Sequence, residues 1–426
     1  MESGMSTSET FIMTDRVRSL VYGALAPSPP DDLAQRVAAL NPEEWQAVLH
    51  LVRQHRVGPM LFWGLSRGGL LERVPHEVAA TLQQQQRRWG MRNLKTHAEL
   101  VRVCRLLEEA GIETIALKGA YLATFAYPSL GLRPLRDIDL LVHPDDGMKA
   151  FEILQGQGYV PEEHGDAQAY VTQIKHLPRL DHPHGVSVEL HLRLTSPRGD
   201  FADRPWIVDD EATLWGRSVV RTVGGSDLRF LEPVDLLLHL ALHATVDHRL
   251  SIGPLGMVDF AWLAHTHDLD WERVMARACT CGLEKQTLSV LGLAARRFGT
   301  PLPALVLGRL DGNEAWLESA DHLIYADAEH LFVMKRAVMG LAQGSLGDRL
   351  RQLAALLFPE RDALAAECRV RPGPWLALNY PSYWIKRLRK LFSRSGASVL
   401  RHRHSLKTVA DHQSAFDDWL ARGPKP

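Results

Sequence analysis

The sequence predicts an α+β fold, with a small mixed sheet between an N-terminal and a C-terminal helical region. Three observations predict it. Apolar residues recur at helical spacing through the first hundred residues. Between Ile112 and Val142 the pattern changes to a strand, a Lys-Gly turn, a helix, an arginine-bearing loop and a second strand. From Pro233 onward helical spacing returns. The boundaries that follow are a disordered tail 1–12, a helical region 13–110, a core 111–232, a helical region 233–360 and a basic helical tail 361–426.

Residues 13–24 have helical spacing, and Pro27, Pro29 and Pro30 break the chain after them. Asp31 and Asp32 suit a cap for a helix to about Leu40. Asn41-Pro42-Glu43 places a cap residue, a first-turn proline and an acid at the start of a helix to about Arg56. Helices follow over 58–67 and 76–110, the latter with a stripe of Leu94, Leu100, Val101, Cys104, Leu106 and Leu107. Beyond Val142, Pro144-Asp145-Asp146 opens a helix over 145–156 that Gly156 and Gly158 end, and Tyr159–Pro161 is a short strand. Residues 168–180 and 186–194 form a hairpin across Asp181-His182-Pro183-His184-Gly185. Its second arm alternates: Val188, Leu190, Leu192 and Leu194 on one face, Ser187, Glu189, His191 and Arg193 on the other. Helices are then expected over 233–246, 254–267, 270–281, 284–297, 301–309, 313–340 and 346–357. The tail is basic through Lys386, Arg387, Arg389, Lys390, Arg394, Arg401 and Arg403, and Trp384, Leu388, Leu391 and Phe392 suggest a helix docked on the body.

Composition narrows the function classes. A chain of 426 residues suits two or three units. Its 46% hydrophobic and 23% charged content is that of a soluble globular protein. A net charge of −1 does not indicate nucleic-acid binding. Cys104, Cys279, Cys281 and Cys368 lack the spacing of a zinc site or a disulfide framework, so buried thiols in a reducing cytoplasm are expected. Met1–Thr10 has no signal-peptide pattern, and the apolar run Leu236–Ala244 is short and broken by His239 and His243, so no membrane span is expected.

The chemistry concentrates in the core. Asp137 and Asp139 alternate along one strand and share a face, away from Ile138 and Leu140. Paired carboxylates repel unless a positive charge lies between them, and hard oxygen ligands favour magnesium or manganese. Glu189 joins them if the arm 186–194 lies beside the strand 137–142; the other reading pairs it with Arg193. Lys118 and Gly119 stand at a strand-to-helix turn, where a bare backbone and a helix N-terminus suit a phosphate. Arg133 either forks onto phosphate oxygens or pairs with Asp137; Arg136 reads as a solvated loop charge. His191 is either a partner of a carboxylate or a packed histidine, and His176 a substrate contact or a surface histidine. His239 and His243 share a helix face. With His248 and Asp259 they suggest either a second metal set or core histidines.

Leu117-Lys118-Gly119-Ala120, Arg133 to Val142 and Val188-Glu-Leu-His-Leu-Arg-Leu194 together resemble the uncharacterised bacterial nucleotidyltransferase family of the DNA polymerase beta-like superfamily. Leu236 to His243 and the aspartate of Met257-Val-Asp259-Phe extend the resemblance over about residues 45–300. It implies a nucleotidyltransferase-like sheet, with Asp137, Asp139 and Glu189 as metal-binding and catalytic acids on Mg2+ or Mn2+. Lys118, Gly119 and Arg133 would hold a nucleoside triphosphate such as ATP, with His191, Arg193, His239 and His243 around them or toward the acceptor. The chain departs from the superfamily at the turn, where the usual Gly-Ser is Lys118-Gly119, a pair that also occurs in toxin-type relatives. The expectation is a metal-dependent nucleotidyltransferase acting on a small-molecule, peptide or macromolecular acceptor. The alternatives are a non-catalytic nucleotide-binding scaffold and a toxin-like transferase that modifies RNA or protein.

Overall fold

Capping chemistry sets the ends of the first helices. Thr14 Oγ1 accepts the Val17 N–H at 3.3 Å to start α1 (Asp15–Leu25). Asp32 stands at the start of α2 (Leu33–Ala38) without a side-chain cap and pairs with Arg36 at 2.8 Å; the helix ends two residues before the expected Leu40. Asn41 and Glu44 form a reciprocal capping box on α3 (Pro42–His55). Then come α4 (Gly58–Arg67) and the 34-residue α5 (His76–Glu109). This computed structural model describes residues 14–162, 170–171, 174–195, 211–310, 315–325, 357–359, 361–368, 370, 373–391 and 403–421. The tail 1–12 therefore lies outside the described residues, as do 313–314, 326–340 and 346–356 of the two helices expected there and Phe392, Arg394 and Arg401 of the basic tail.

After Gly111, at φ 76°, the chain enters the sheet. The strands are β1 (Ile115–Ala116), β2 (Asp137–Leu141), β3 (Val160–Pro161), β4 (Leu180–Asp181), β5 (Ser187–His191), β6 (Val219–Val223) and β7 (Ser226–Phe230). They form one mixed sheet in the order β3-β4-β5-β2-β1-β7-β6. β2 runs parallel to β5 with Asp139 opposite Glu189, and antiparallel to β1 with Leu140 opposite Ala116. The inward residues Ile138, Leu140, Val188 and Leu190 are buried, so the apolar alternation fixes the register that pairs the two acids.

Two sequence expectations for the sheet need correction. Of the arm expected over 168–180, residues 168–169 and 172–173 lie outside the described residues; among the rest, 170–171 are helical, only Leu180 belongs to a strand (β4), and His176 reaches the sheet through a single bridge to His191. The hairpin β6–β7 was not expected. Val220, Arg221 and Thr222 all lie exposed, so β6 carries no buried alternation to read. The signal was the Gly224-Gly225 pair, at φ 58° and 79°, in the two-residue turn.

The short helix α6 (Gly119–Tyr121) continues as a π-helical turn over Leu122–Ala126, and α7 (Gly147–Gly156) follows β2. Beyond a short α8 (Glu211–Arg217) come α9 (Pro233–Leu242), with a π-helical turn over His243–Asp247, then α10 (Gly253–Thr266), α11 (Trp271–Thr280) and α12 (Glu284–Phe298). A short α13 (Ala304–Leu307) and α14 (Ala315–Ile324) follow. One core, running from Val17 to Phe416 in sequence, joins the helices to the sheet. The tail helices α15 (Arg361–Cys368) and α16 (Tyr380–Leu391) share a separate small core of Leu364, Ala365, Leu376 and Tyr383. The last described helix is α17 (Arg403–Ala421). Cys279 is exposed, contrary to the expectation of buried thiols, whereas Cys104 and Cys281 are buried. Among the described residues no helix is long and apolar enough to cross a membrane.

The loop that delivers β2 is held by one buried side chain. Asn93 on α5 donates to the carbonyls of Leu130 (2.6 Å) and Arg133 (2.7 Å) and accepts the Leu135 N–H at 3.0 Å. Asn93→Ala leaves three backbone groups without this partner and should cost roughly 2–4 kcal/mol in urea unfolding. A change below about 0.5 kcal/mol, the range of an ordinary surface substitution, would contradict the clamp.

Candidate functional site

The register of β2 and β5 brings carboxylates together, and the surrounding chain supplies the counter-charge. His191 Nε2 lies 2.8 Å from Asp139 Oδ1, and Lys118 Nζ lies 3.1 Å from the same oxygen. His191 Nε2 is 3.7 Å from Glu189. Lys118 and Asp139 are buried; Glu189 is half-buried. Lys118 reaches Asp139 from a backbone at φ 45°, ψ −110°, a conformation that a side-chain-bearing residue rarely adopts. Strain of this kind persists only where the surroundings over-determine it, and it clusters at functional sites.

The charge states follow from burial and neighbours. Burial favours a neutral Asp139, but the Lys118 charge and the His191 hydrogen bond outweigh it and hold the carboxyl well below its usual range. Burial and the charge of Asp139 push Asp137 up. Burial and the charges of Asp139 and Asp137 raise Glu189 to about 7. Burial opposes the charged form of Lys118, yet the surrounding acids raise it. Burial and the Lys118 charge lower His191 to about 3, so its imidazole is neutral and Nε2–H donates to Asp139.

Asp139, Glu189 and His191 each offer a ligand atom within 4.8 Å of the others, and among the described residues no other group of three or more acids, histidines or cysteines does so. The sequence reading placed Asp137 in this set. The structure places it on the same strand and face but outside the 4.8 Å group, with His191 inside it. Two carboxylates and a neutral imidazole at this spacing suit a divalent cation.

The remaining expected residues fall into two sets. Arg133 does not pair with Asp137. Its fork is taken by Asp259 on α10, with Nε–Oδ1 at 2.8 Å and Nη2–Oδ2 at 2.7 Å, and the Tyr127 hydroxyl donates to the same carboxylate at 2.6 Å. Gly119 makes room for that arginine: a Cβ there would lie 2.5 Å from Arg133 Nη1 and 2.8 Å from Leu135 Cδ2. Arg193 donates to the Val171 carbonyl at 2.9 Å rather than pairing with Glu189. Asp259 is thereby spent, and the alternative metal set of His239, His243, His248 and Asp259 is not assembled.

The second set comes from the helical side. His239 is fully buried on α9, and neither ring nitrogen has a hydrogen-bond partner. Burial and the nearby charge of Lys118 hold it well below its ordinary value. On the π-helical turn that follows, His243 Nδ1 lies 3.1 Å from Asp247 Oδ2, and Lys175 pairs with the same carboxylate. The His248 ring packs edge-on against His243 with centroids 4.4 Å apart. His176 is not a surface histidine; its ring lies 5.4 Å from that of His191. The sequence reading missed Lys175, Asp247 and Tyr127. Their only signal was position, since none stands in a recognisable spacing with the acids.

A family model described as an uncharacterised nucleotidyltransferase matches residues 41–299, nearly the span over which the sequence motifs carry the resemblance. No curated protein matches the chain.

The buried histidines make stability depend on pH. His97 is buried on α5 and lowered by burial from 6.5 to about 4; its Nε2 lies 3.4 Å from Thr124 Oγ1. Its folded value lies below the unfolded one, so its stabilisation is complete above pH 6.5 and is lost as pH falls toward 4. Glu189 has the opposite sign, because its raised folded value gives stability that is lost as pH rises through about 7. The difference between the native protein and His97→Gln isolates the histidine. Its unfolding free-energy advantage at neutral pH should shrink by about 1–2 kcal/mol on acidification by two pH units. A constant difference from neutral to acid pH would contradict a neutral buried His97.

Proposed function

We propose that this chain, which belongs to the uncharacterised nucleotidyltransferase family, moves a nucleoside monophosphate from a triphosphate to an acceptor and releases pyrophosphate. One observation carries the reading: Asp139 and Glu189 stand opposite each other on neighbouring parallel strands, with Lys118 on the Asp139 carboxylate. Asp139, Glu189 and His191 would hold a divalent cation, His191 through Nε2 with its proton moved to the partnerless Nδ1, and Asp137 would stand beside them as a further acid. Bound there, such an ion supplies charge neutralisation at the reacting phosphate oxygens. Oxygen ligands suit magnesium, and the imidazole nitrogen makes manganese at least as apt.

The chain's own residues then take the following parts. Lys118 leaves the Asp139 oxygen for the triphosphate, where its ammonium acts as a point charge beside the start of α6. The acceptor hydroxyl forms the new bond to the α-phosphorus as the bond to the pyrophosphate oxygen breaks, and its proton passes to a base. Where Glu189 does not itself ligate the ion, its half-buried carboxylate suits that base directly or through a water. His243, oriented by Asp247, and His239 wall the acceptor side. Arg133 holds the wall in place through Asp259 rather than gripping phosphate itself.

A second reading rests on the same ion pairs. Arg133 is spent on Asp259 and Lys118 rests on Asp139, which also suits a nucleotide-binding scaffold without turnover. The neutral net charge argues against bulk RNA as acceptor, which weakens a toxin-like transferase. Pyrophosphate release from a panel of triphosphates with magnesium or manganese separates these readings. Under the transferase reading release is measurable, and Asp137→Asn combined with Asp139→Asn lowers it at least about 100-fold with the fold intact by circular dichroism. Saturable triphosphate binding with no pyrophosphate release, or an unchanged rate in the double variant, would refute it.

A further inference from the structure

We propose that the basic tail around α15 and α16 is a docking surface for an anionic lipid bilayer. The inference stands apart from the transfer chemistry. Two independent observations carry it. The first is exposure. Of the eleven large hydrophobic residues exposed among the described residues, five fall between Leu357 and Ile385. Trp375 is 75% exposed, Leu378 72%, Phe358 59% and Ile385 50%. Single exposed apolar residues are ordinary, but a cluster of this kind marks an interaction site.

The second observation is charge. Between Glu367 and Asp411 the chain has ten Lys and Arg residues and no Asp or Glu, in a protein whose net charge is −1. The exposed Lys386 follows Ile385 directly on α16, and Arg387, Arg389 and Lys390 come next on the same helix. Exposed Trp375, Leu378 and Ile385 beside Lys and Arg combine the apolar and cationic groups that lie together in the headgroup layer of a membrane. Each such cation near an anionic leaflet adds attraction that salt screens.

The surface is built on a small packed core. Leu376 and Tyr383 turn inward onto Leu364 and Ala365, which leaves Trp375, Leu378 and Ile385 facing out. Trp384 Nε1 donates to the Leu357 carbonyl at 2.8 Å, and the Phe358 ring packs edge-on against those of Trp384 (5.8 Å) and Tyr380 (5.9 Å). Chemistry also selects the occupant. A single-stranded nucleic acid would use the cations and the aromatic faces, but Leu357, Leu378 and Ile385 offer nothing on which a base can stack. The acyl boundary of a bilayer accepts all of them.

Co-sedimentation of the full chain with vesicles tests this. The probe is phosphatidylcholine vesicles with phosphatidylglycerol as roughly one lipid in three, compared with phosphatidylcholine alone. Binding to the anionic vesicles should be at least about tenfold stronger, and should fall at about 0.5 M NaCl. Trp375→Ser with Leu378→Ser and Ile385→Ser should weaken it about tenfold or more. These side chains are exposed, so the fold should survive, as circular dichroism will show. Should that variant fail to fold, Lys386→Glu with Arg389→Glu carries the test and should remove the preference for anionic vesicles. No binding to the anionic vesicles at low salt overturns the proposal. So does binding that neither variant weakens, or binding to an RNA oligonucleotide but not to vesicles.

Discussion

The structure depends on a charge that one oxygen atom must satisfy. Asp139 Oδ1 is buried between Lys118 Nζ and His191 Nε2, and directly across the strand pair stands Glu189. A buried carboxylate without partners is costly. Two of them in register would be worse, because each raises the other's proton affinity. The chain resolves this by bringing a lysine to the site from a strained backbone and by leaving Glu189 to titrate near neutrality. A site of this kind has an excess of acid over fixed base and an ammonium that a divalent cation can replace.

Around that atom the fold is built as supports. Asn93 clamps the loop before β2, so the strand enters the sheet at the register that presents Asp139 rather than Leu140 to the polar face. Arg133, which closes the same loop, is tied bidentately to Asp259 and through it to Tyr127. The pair is buried, and removing either partner would strand a charge. It therefore fixes α10 against the loop and the turn at Gly119. The histidines of α9 and its π-helical turn approach the acids from this anchored side. An irregular turn at such a place is consistent with function, since π-helical turns recur at functional sites.

Much of this was legible in sequence, and the exceptions have physical causes. The alternation at 186–194 and the apolar run 138–142 gave the strands and their faces, and so the meeting of Asp139 with Glu189 once the two strands lie side by side. Capping residues gave the helix starts, and Asn41 with Glu44 is the cleanest case. What failed was pairing across long sequence separation. Arg133 and Asp259 stand 126 residues apart, and nothing local in either segment announces the other. His191 in place of Asp137 in the compact ligand group depends on side-chain reach, which alternation does not encode. The hairpin β6–β7 escaped because its outer strand is exposed and carries no apolar alternation.

The most direct measurement is manganese binding followed by electron paramagnetic resonance, in the presence of a non-hydrolysable triphosphate. The account predicts a bound ion with nitrogen coupling that His191→Asp removes while the ion is retained, and loss of tight binding in Asp139→Asn. Tight manganese binding that survives both substitutions unchanged, or no binding at all, would contradict the claim that these two strands build a cation site.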